Sequence, residues 1–140
     1  MAPAPERPTC VEPSAIDIER DVTFIPDIRG PALLVHWRHI PIGFIRPLKR
    51  TPKSHKTLSA DSRAEIRKAY KSFIGKWHAP LFGGGYFDTK EDAARHIIAR
   101  TLNFSADMPL IKAAMREDHA EVDRLLAEMR AQVVLGSDDA

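Results

Sequence analysis

The sequence has few of the residues that build covalent or metal-bound sites. Its single cysteine, Cys10, excludes an internal disulfide. No apolar run approaches the roughly 20 residues that cross a bilayer. The first residues, MAPAPERPTCVEP, lack the apolar segment of a signal peptide. We therefore expect a cytoplasmic protein with no membrane contact.

Catalytic and metal-binding signatures are also lacking. His36 and His39 would point to opposite faces of a strand, whereas zinc needs about four converging ligands. Gly83-Gly84-Gly85 precedes a helix but has no G-K-[ST] ending, so we interpret it as a turn rather than a phosphate loop. The basic middle has too few carboxylates to hold magnesium. We predict no metal, no cofactor and no catalytic residue, and a small hydrolase or nuclease is the third alternative.

The charge of the chain is segregated, although its net charge is only +2. Of the 21 basic residues, eleven lie between His36 and His78, where only Asp61 and Glu65 are acidic. The rest of the chain contains ten basic and seventeen acidic residues. Because a patch of one sign creates a local field that the net charge does not report, this pattern indicates an anionic partner, most commonly nucleic acid.

Length and composition predict one domain between two tails. At 140 residues and 44% hydrophobic content the chain is large enough to bury a core. Residues 1–15 contain four prolines and predict a flexible Pro-rich tail. We place a single α+β domain at residues 16–135 and a frayed tail at residues 136–140.

The hydrophobic pattern predicts a small antiparallel sheet covered by about three helices. β-prone runs occur at about 22–26, 32–37 and 41–46, with a further short run at 77–82, and residues 38–41 would join the second and third strands as a hairpin. Helical spacing of apolar residues predicts helices near 61–74, 89–100 and 109–133, the last broken near Glu117-Asp118-His119 into a helical hairpin. Residues 103–107 would form a loop.

Polar residues mark where these helices begin. Ser62 with Glu65 has the spacing of a capping box, and Ser59 is the alternative cap. Asp88 with Glu91 has the same spacing at the second helix. Gly75 is suited to end the first helix, because glycine adopts positive φ without steric cost.

One segment resembles a known family. Gly75-Lys76-Trp77-His78-Ala79 and then the residues GYFDTKEDAAR at 85–95 are similar to motifs of the AP2/ERF-type DNA-binding domain. The resemblance covers about 20 residues, and the spacing between its two parts is shorter than in the family. It implies a three-stranded antiparallel sheet on one helix, with the sheet face in the DNA major groove. The alternative is an ordinary strand-to-helix junction in which Phe87 faces inward, Asp88 or Thr89 caps the helix and Ala93-Ala94 allow close packing.

The leading hypothesis is a non-catalytic DNA-binding or regulatory accessory protein. Trp37, Phe44, Tyr70 and Trp77 lie among the cations, and aromatic side chains within a basic surface favour nucleic acids. The predicted phosphate contacts are Lys49, Arg50, Lys53, Lys56, Arg63, Arg67, Lys68 and Lys71. The predicted groove contacts are Arg38, Arg46, Lys76 and Trp77.

The alternative hypothesis is a protein–protein interaction module. The cationic middle would then dock an acidic partner or the acidic C-terminal half of a second copy. In that case the apolar stripe of the C-terminal helix would form a homo-oligomer interface.

Overall fold

The computed structural model of the chain describes residues 10–49, 59–80 and 85–138. Five antiparallel strands form one sheet in chain order. They are β1 (Val22–Pro26), β2 (Leu33–Trp37), β3 (Ile40–Pro47), β4 (Trp77–His78) and β5 (Tyr86–Phe87). The predicted α+β class is confirmed. The fifth strand ends at Phe87, as the strand-to-helix motif implied, although it was not among the four strands that the hydrophobic pattern predicted. The fourth strand is shorter than predicted: it ends at His78, residues 79–80 are in no strand, and residues 81–82 lie outside the described ranges.

Five helices accompany the sheet. They are α1 (Ile18–Asp21), α2 (Ala60–Tyr70), α3 (Lys90–Phe104), α4 (Pro109–Met115) and α5 (His119–Asp138). Short 3₁₀ turns precede α1 at Pro13–Ala15 and follow α2 at Lys71–Phe73. The predicted break into a helical hairpin is confirmed between α4 and α5. The expected loop at 103–107 is wrong at its start, because α3 continues through Asn103 and Phe104.

The three predicted helix starts agree with the structure to within one residue, and the structure decides between the candidate caps. Ser59, the alternative cap, accepts a hydrogen bond from the Ser62 backbone N–H, so the Ser62–Glu65 capping box is wrong. Of the two candidate caps of α3, Thr89 is confirmed, since its side chain accepts from the Asp92 N–H, and the Asp88–Glu91 cap is wrong. Gly75 has a φ of +91°, as expected for the glycine that ends the first helical segment.

The turn between β2 and β3 is tighter than predicted. Trp37 pairs with Ile40, so only Arg38 and His39 lie in the turn, with φ values of +45° and +71°. Two positive φ values are typical of the type I′ turn, which matches the twist of paired strands. Asn-Gly is the usual sequence there, and its absence explains why a four-residue connection was predicted.

One face of the sheet carries the core. Val35, Trp37, Ile40 and Ile45 are buried on this face. They belong to one cluster with residues of α3, α4 and α5: Ala93, Ala94, Ile97, Ile98, Leu102, Leu110, Ile111, Ala113, Ala114 and Val122. The predicted burial of Ala93, Ala94, Ile97 and Ile98 is confirmed. We call this side the inner face and the opposite side the outer face.

The expected N-terminal tail is ordered in its last residues. Ile16 is 6% exposed within the core, and Val11 packs against the core. The Asn103 side chain accepts from the Val11 N–H at 2.7 Å and donates to the Val11 carbonyl at 3.0 Å. Residues 10–15 are therefore held against α3, and residues 1–9 lie outside the described ranges. At the other end, α5 extends to Asp138, into the predicted frayed tail, of which residues 139–140 are outside the described ranges.

Among the helices of the described ranges, none is both long enough and apolar enough to cross a membrane.

Candidate nucleic-acid interface

The outer face of the sheet carries partly exposed apolar side chains on its first three strands. Ile25 pairs with Leu34 and Leu34 pairs with Phe44, so these side chains form one row across β1, β2 and β3. They are 37–38% exposed, whereas Val35 beside Leu34 and Ile45 beside Phe44 are fully buried. Arg46 follows Phe44 by two residues and is exposed. The outer face therefore presents an apolar row bordered by a cation.

An aromatic cluster covers the other end of the outer face. The Tyr86 ring stacks on Phe73 at 4.3 Å and on His78 at 4.8 Å between ring centroids. Tyr70, at the end of α2, meets Tyr86 edge to face at 6.5 Å. These contacts dock the C-terminal end of α2 onto β4 and β5. The sequence did not indicate the cluster, because it depends on the pairing of His78 with Tyr86 in the short hairpin.

Arg46 lies beside this cluster. It pairs with His78 across β3 and β4. Burial, and then the nearby Arg46 charge, lower the pKa of His78 below its ordinary value. Burial, and then Tyr70, raise the pKa of Tyr86. His78 is therefore held in its neutral form at the cationic edge of the outer face.

The lowered pKa of His78 predicts a loss of stability in mild acid. Because the unfolded chain has the higher histidine pKa, about 6.5, it takes up protons first as the pH falls through that value. The free energy of unfolding should therefore decrease from about pH 7.5 to 5.5, and be constant above that range. His96 contributes in the same direction, since burial and then Arg100 lower its pKa.

The His78→Phe substitution keeps a ring in the stack and should reduce this pH dependence. Urea unfolding at a series of pH values measures the effect. The His78→Phe/His96→Phe double variant should show a weaker dependence than either single variant. Identical pH slopes in wild type and His78→Phe would refute the assignment.

The cations around α2 have few acidic partners. We define the cationic surface as the described residues Arg46, Lys49, Arg63, Arg67, Lys68 and Lys71. Within the described ranges, no carboxylate lies within 4 Å of any charged group in this set. Arg67, Lys68 and Lys71 are exposed. Surfaces that are only solvated commonly mix charges of both signs, so this separation favours an anionic ligand.

Helix α2 is attached to the domain through its end. It buries none of its residues, and Ile74 beyond it is 43% exposed. Among the described residues, α2 and the turn after it therefore pack through half-buried side chains, chiefly Tyr70 and Phe73. The aromatic contacts thus join the C-terminal end of the cationic helix to the outer face.

Backbone hydrogen bonds hold Lys49 and Lys76 near the sheet. The Leu48 N–H donates to the Lys76 carbonyl and the Gly75 N–H donates to the Leu48 carbonyl, both at 2.8 Å. This places Lys49 next to the segment that contains Lys76. Lys76 pairs with Asp88 at 3.4 Å, so its charge is partly neutralised. Arg50, Lys53 and Lys56 lie outside the described residues.

Two predicted groove contacts are engaged in the domain itself. Trp77 is half-buried and packs against the core, and Trp37 is 2% exposed within it. Arg38 lies in the β2–β3 turn with its side chain 13% exposed. It donates to Asp21 at 3.2 Å and to the Ala114 carbonyl at 2.8 Å. The structure thus separates Arg38 and Trp77 from the cationic surface.

Arg38 joins α1, the β2–β3 turn and the α4–α5 connection. Asp21 also accepts from Arg20, and Glu117 lies 3.4 Å from Arg38. Burial tends to raise the pKa of Asp21, but hydrogen bonds from Arg20 and Arg38 outweigh it and hold that pKa below its ordinary value. Beside them, His39 stacks on His119 at 4.8 Å and contacts Asp123 at 2.9 Å. Sequence reasoning missed this network because its members are up to 97 residues apart.

Within the described ranges, no three side chains of His, Cys, Asp or Glu converge as metal ligands would. Comparison of the chain with protein-family models, with curated proteins and with solved structures finds no match.

Proposed function

We propose that the protein is a non-catalytic nucleic-acid-binding protein that uses the outer face and the cationic surface together. The observation that carries the proposal is that, among the described residues, no carboxylate pairs with the cationic surface, which lies beside the exposed apolar row of the outer face. Cations of this kind neutralise phosphates and release counterions, which supplies affinity with little sequence information. Lys49, Arg63, Arg67, Lys68 and Lys71 would contact phosphates.

The outer face supplies the second element of the proposal. Phe44 is the exposed aromatic residue of the row Ile25–Leu34–Phe44, and Arg46 stands beside it. An exposed ring next to a cation is suited to stack on a base while the cation binds a phosphate. In the AP2/ERF-like arrangement, a sheet packs on one helix and its other face contacts DNA. The packing of this sheet on α3 supports that arrangement as an analogy.

Salt-dependent binding tests the proposal. We expect fluorescence anisotropy with labelled duplex DNA, single-stranded DNA and RNA to show a linear loss of log affinity with log salt between about 50 and 200 mM. Charge reversal at Arg67, Lys68 and Lys71 together should reduce the slope by about three, roughly one for each lost phosphate contact. It should also weaken binding at least a hundredfold at low salt.

A matched variant separates local contacts from net charge. Reversal of Arg95, Arg100 and Arg130 changes the net charge equally, at positions on α3 and α5, and should leave the salt slope nearly unchanged. Equal losses in both triple variants would contradict a defined surface. Equal binding of polyglutamate would favour the alternative, an acidic protein partner.

Phe44 reports on the sheet face separately. Phe44→Ala should weaken single-stranded DNA binding by about tenfold, because base stacking on an aromatic ring contributes on the order of 1–3 kcal/mol. Leu34→Ala removes a neighbouring apolar side chain without a ring and is the control. Unchanged affinity in Phe44→Ala would limit the interface to the cationic surface.

A further inference from the structure

An open cavity of about 550 Å³ lies on the side of the domain formed by α3, α4 and the N-terminal segment. Val11, Leu102, Ile111 and Met115 line it. This volume falls within the range of about 300–1,000 Å³ typical of small-molecule sites. The cavity shares no lining residue with the outer face or the cationic surface.

The floor and one wall of the cavity are fixed. Leu102 and Ile111 are 3% and 5% exposed, so they belong to the core and form a rigid apolar floor. The paired hydrogen bonds between Val11 and Asn103 satisfy the polar groups of both residues at this wall. These two bonds pair both backbone polar groups of Val11, so neither group needs water, and they hold the Val11 side chain against the core.

The opposite wall is adaptable. Met115, at the end of α4, is 50% exposed, and an unbranched thioether adjusts its shape to different apolar ligands. An exposed methionine beside a rigid apolar floor is suited to close over a bound chain or ring.

Two cations border the apolar surface. Lys112 and Arg116 both line the cavity, and they are four residues apart, which places them on one side of α4. In the part of the chain that the structure describes, neither has a carboxylate within 4 Å. Beyond that distance Arg116 has Glu121 as an acidic neighbour, since Arg124 and, more weakly, Arg116 lower the pKa of Glu121. Like charges at this spacing repel each other, and a bound anion between them would offset that repulsion.

We propose that this cavity binds a small organic anion with an apolar body, such as a medium-chain carboxylate. The apolar body would lie on Leu102, Ile111 and Met115, and the carboxylate would pair with Lys112 and Arg116. Charge complementarity selects an anionic ligand over a neutral or cationic one of the same size. The proposal is independent of nucleic-acid binding, since it uses other residues on another side of the domain.

Competition with a fluorescent anion tests the site. Anilinonaphthalene sulfonate combines an apolar ring system with one negative charge and is the probe. We expect its fluorescence to rise on binding and decanoate to displace it, with decanol at least tenfold weaker. Decanoate should also raise the melting temperature of the protein. Equal displacement by decanoate and decanol would overturn the role of the cations.

Variants identify the location of binding. The Lys112→Glu/Arg116→Glu protein should bind decanoate at least tenfold more weakly, whereas the control Arg100→Glu/Arg130→Glu should bind as wild type does. Ala106→Trp, which fills the cavity from its lining, should abolish binding of the probe and of decanoate. Near-UV circular dichroism verifies that each variant is folded. Undiminished decanoate binding in a folded Lys112→Glu/Arg116→Glu protein would overturn the proposal.

Discussion

The Ile45→Ala variant should lose about 3 kcal/mol of unfolding free energy, because truncating a buried isoleucine removes its burial and leaves a cavity. Ile45 is fully buried on the inner face of β3, in the cluster that includes Ala93, Ala94 and Ile97 of α3. Those alanines bring α3 close to the sheet, so the backbone has little freedom to fill the space. Urea or thermal unfolding measures the loss.

The neighbouring residue provides the matched control. Phe44 is adjacent to Ile45 on the same strand but points to the outer face, where it is 37% exposed. Phe44→Ala should therefore cost less unfolding free energy than Ile45→Ala, about 1.5 kcal/mol, because the ring is only partly buried and its removal leaves no closed cavity. Comparable losses in the two variants would show that another part of the molecule buries Phe44, so that the outer face is not exposed there.

The second large effect is expected at Arg38. Its side chain is 13% exposed, and it is the ion-pair and hydrogen-bond partner of Asp21, whose side chain is only 10% exposed. Arg38→Ala leaves that carboxylate shielded from water and removes the side-chain donor to the Ala114 carbonyl. Breaking one side of a shielded pair costs on the order of 3 kcal/mol, because Asp21 then keeps only the exposed Arg20 as a cationic partner.

Arg20 is the control for this prediction. It contacts the same carboxylate as well as Glu117, but its side chain is 58% exposed, so water replaces its contacts when it is removed. Arg20→Ala should destabilise the protein far less than Arg38→Ala, since exposed ion pairs contribute little. Equal melting temperatures for wild type and Arg38→Ala would disprove the linking role of Arg38. Unfolding at pH 7 is the appropriate measurement, because Asp21 is charged there.

The local sequence predicted the elements with regular patterns. Alternating and β-branched residues located the first three strands, and the spacing of Ala93, Ala94, Ile97 and Ile98 located α3 and its buried side. The break near residue 117 was also predicted. These features depend on residues a few positions apart, so the pattern in one segment is sufficient to indicate them.

Elements that depend on pairing across the chain were predicted less completely. Tyr86–Phe87 is too short to have a pattern of its own, and it is a strand because it pairs with Trp77–His78. Likewise, α3 continues past residue 100 because Leu102 enters the core and Asn103 holds Val11. The two-residue turn at Arg38-His39 lacks the usual glycine, and the paired strands and the Arg38 network hold it in place.

The same division applies to the candidate interface. The sequence by itself determined that cations are concentrated between residues 36 and 78 with few acids among them, because charge follows directly from residue type. Only the tertiary structure decided which of them have partners. It directs Arg38 toward Asp21 and Trp77 toward the core, whereas Arg67, Lys68 and Lys71 remain exposed beside an open sheet face. Whether a cation has a partner depends on which distant side chains the fold brings within hydrogen-bonding distance. The order of residues along the chain does not specify which side chains those are.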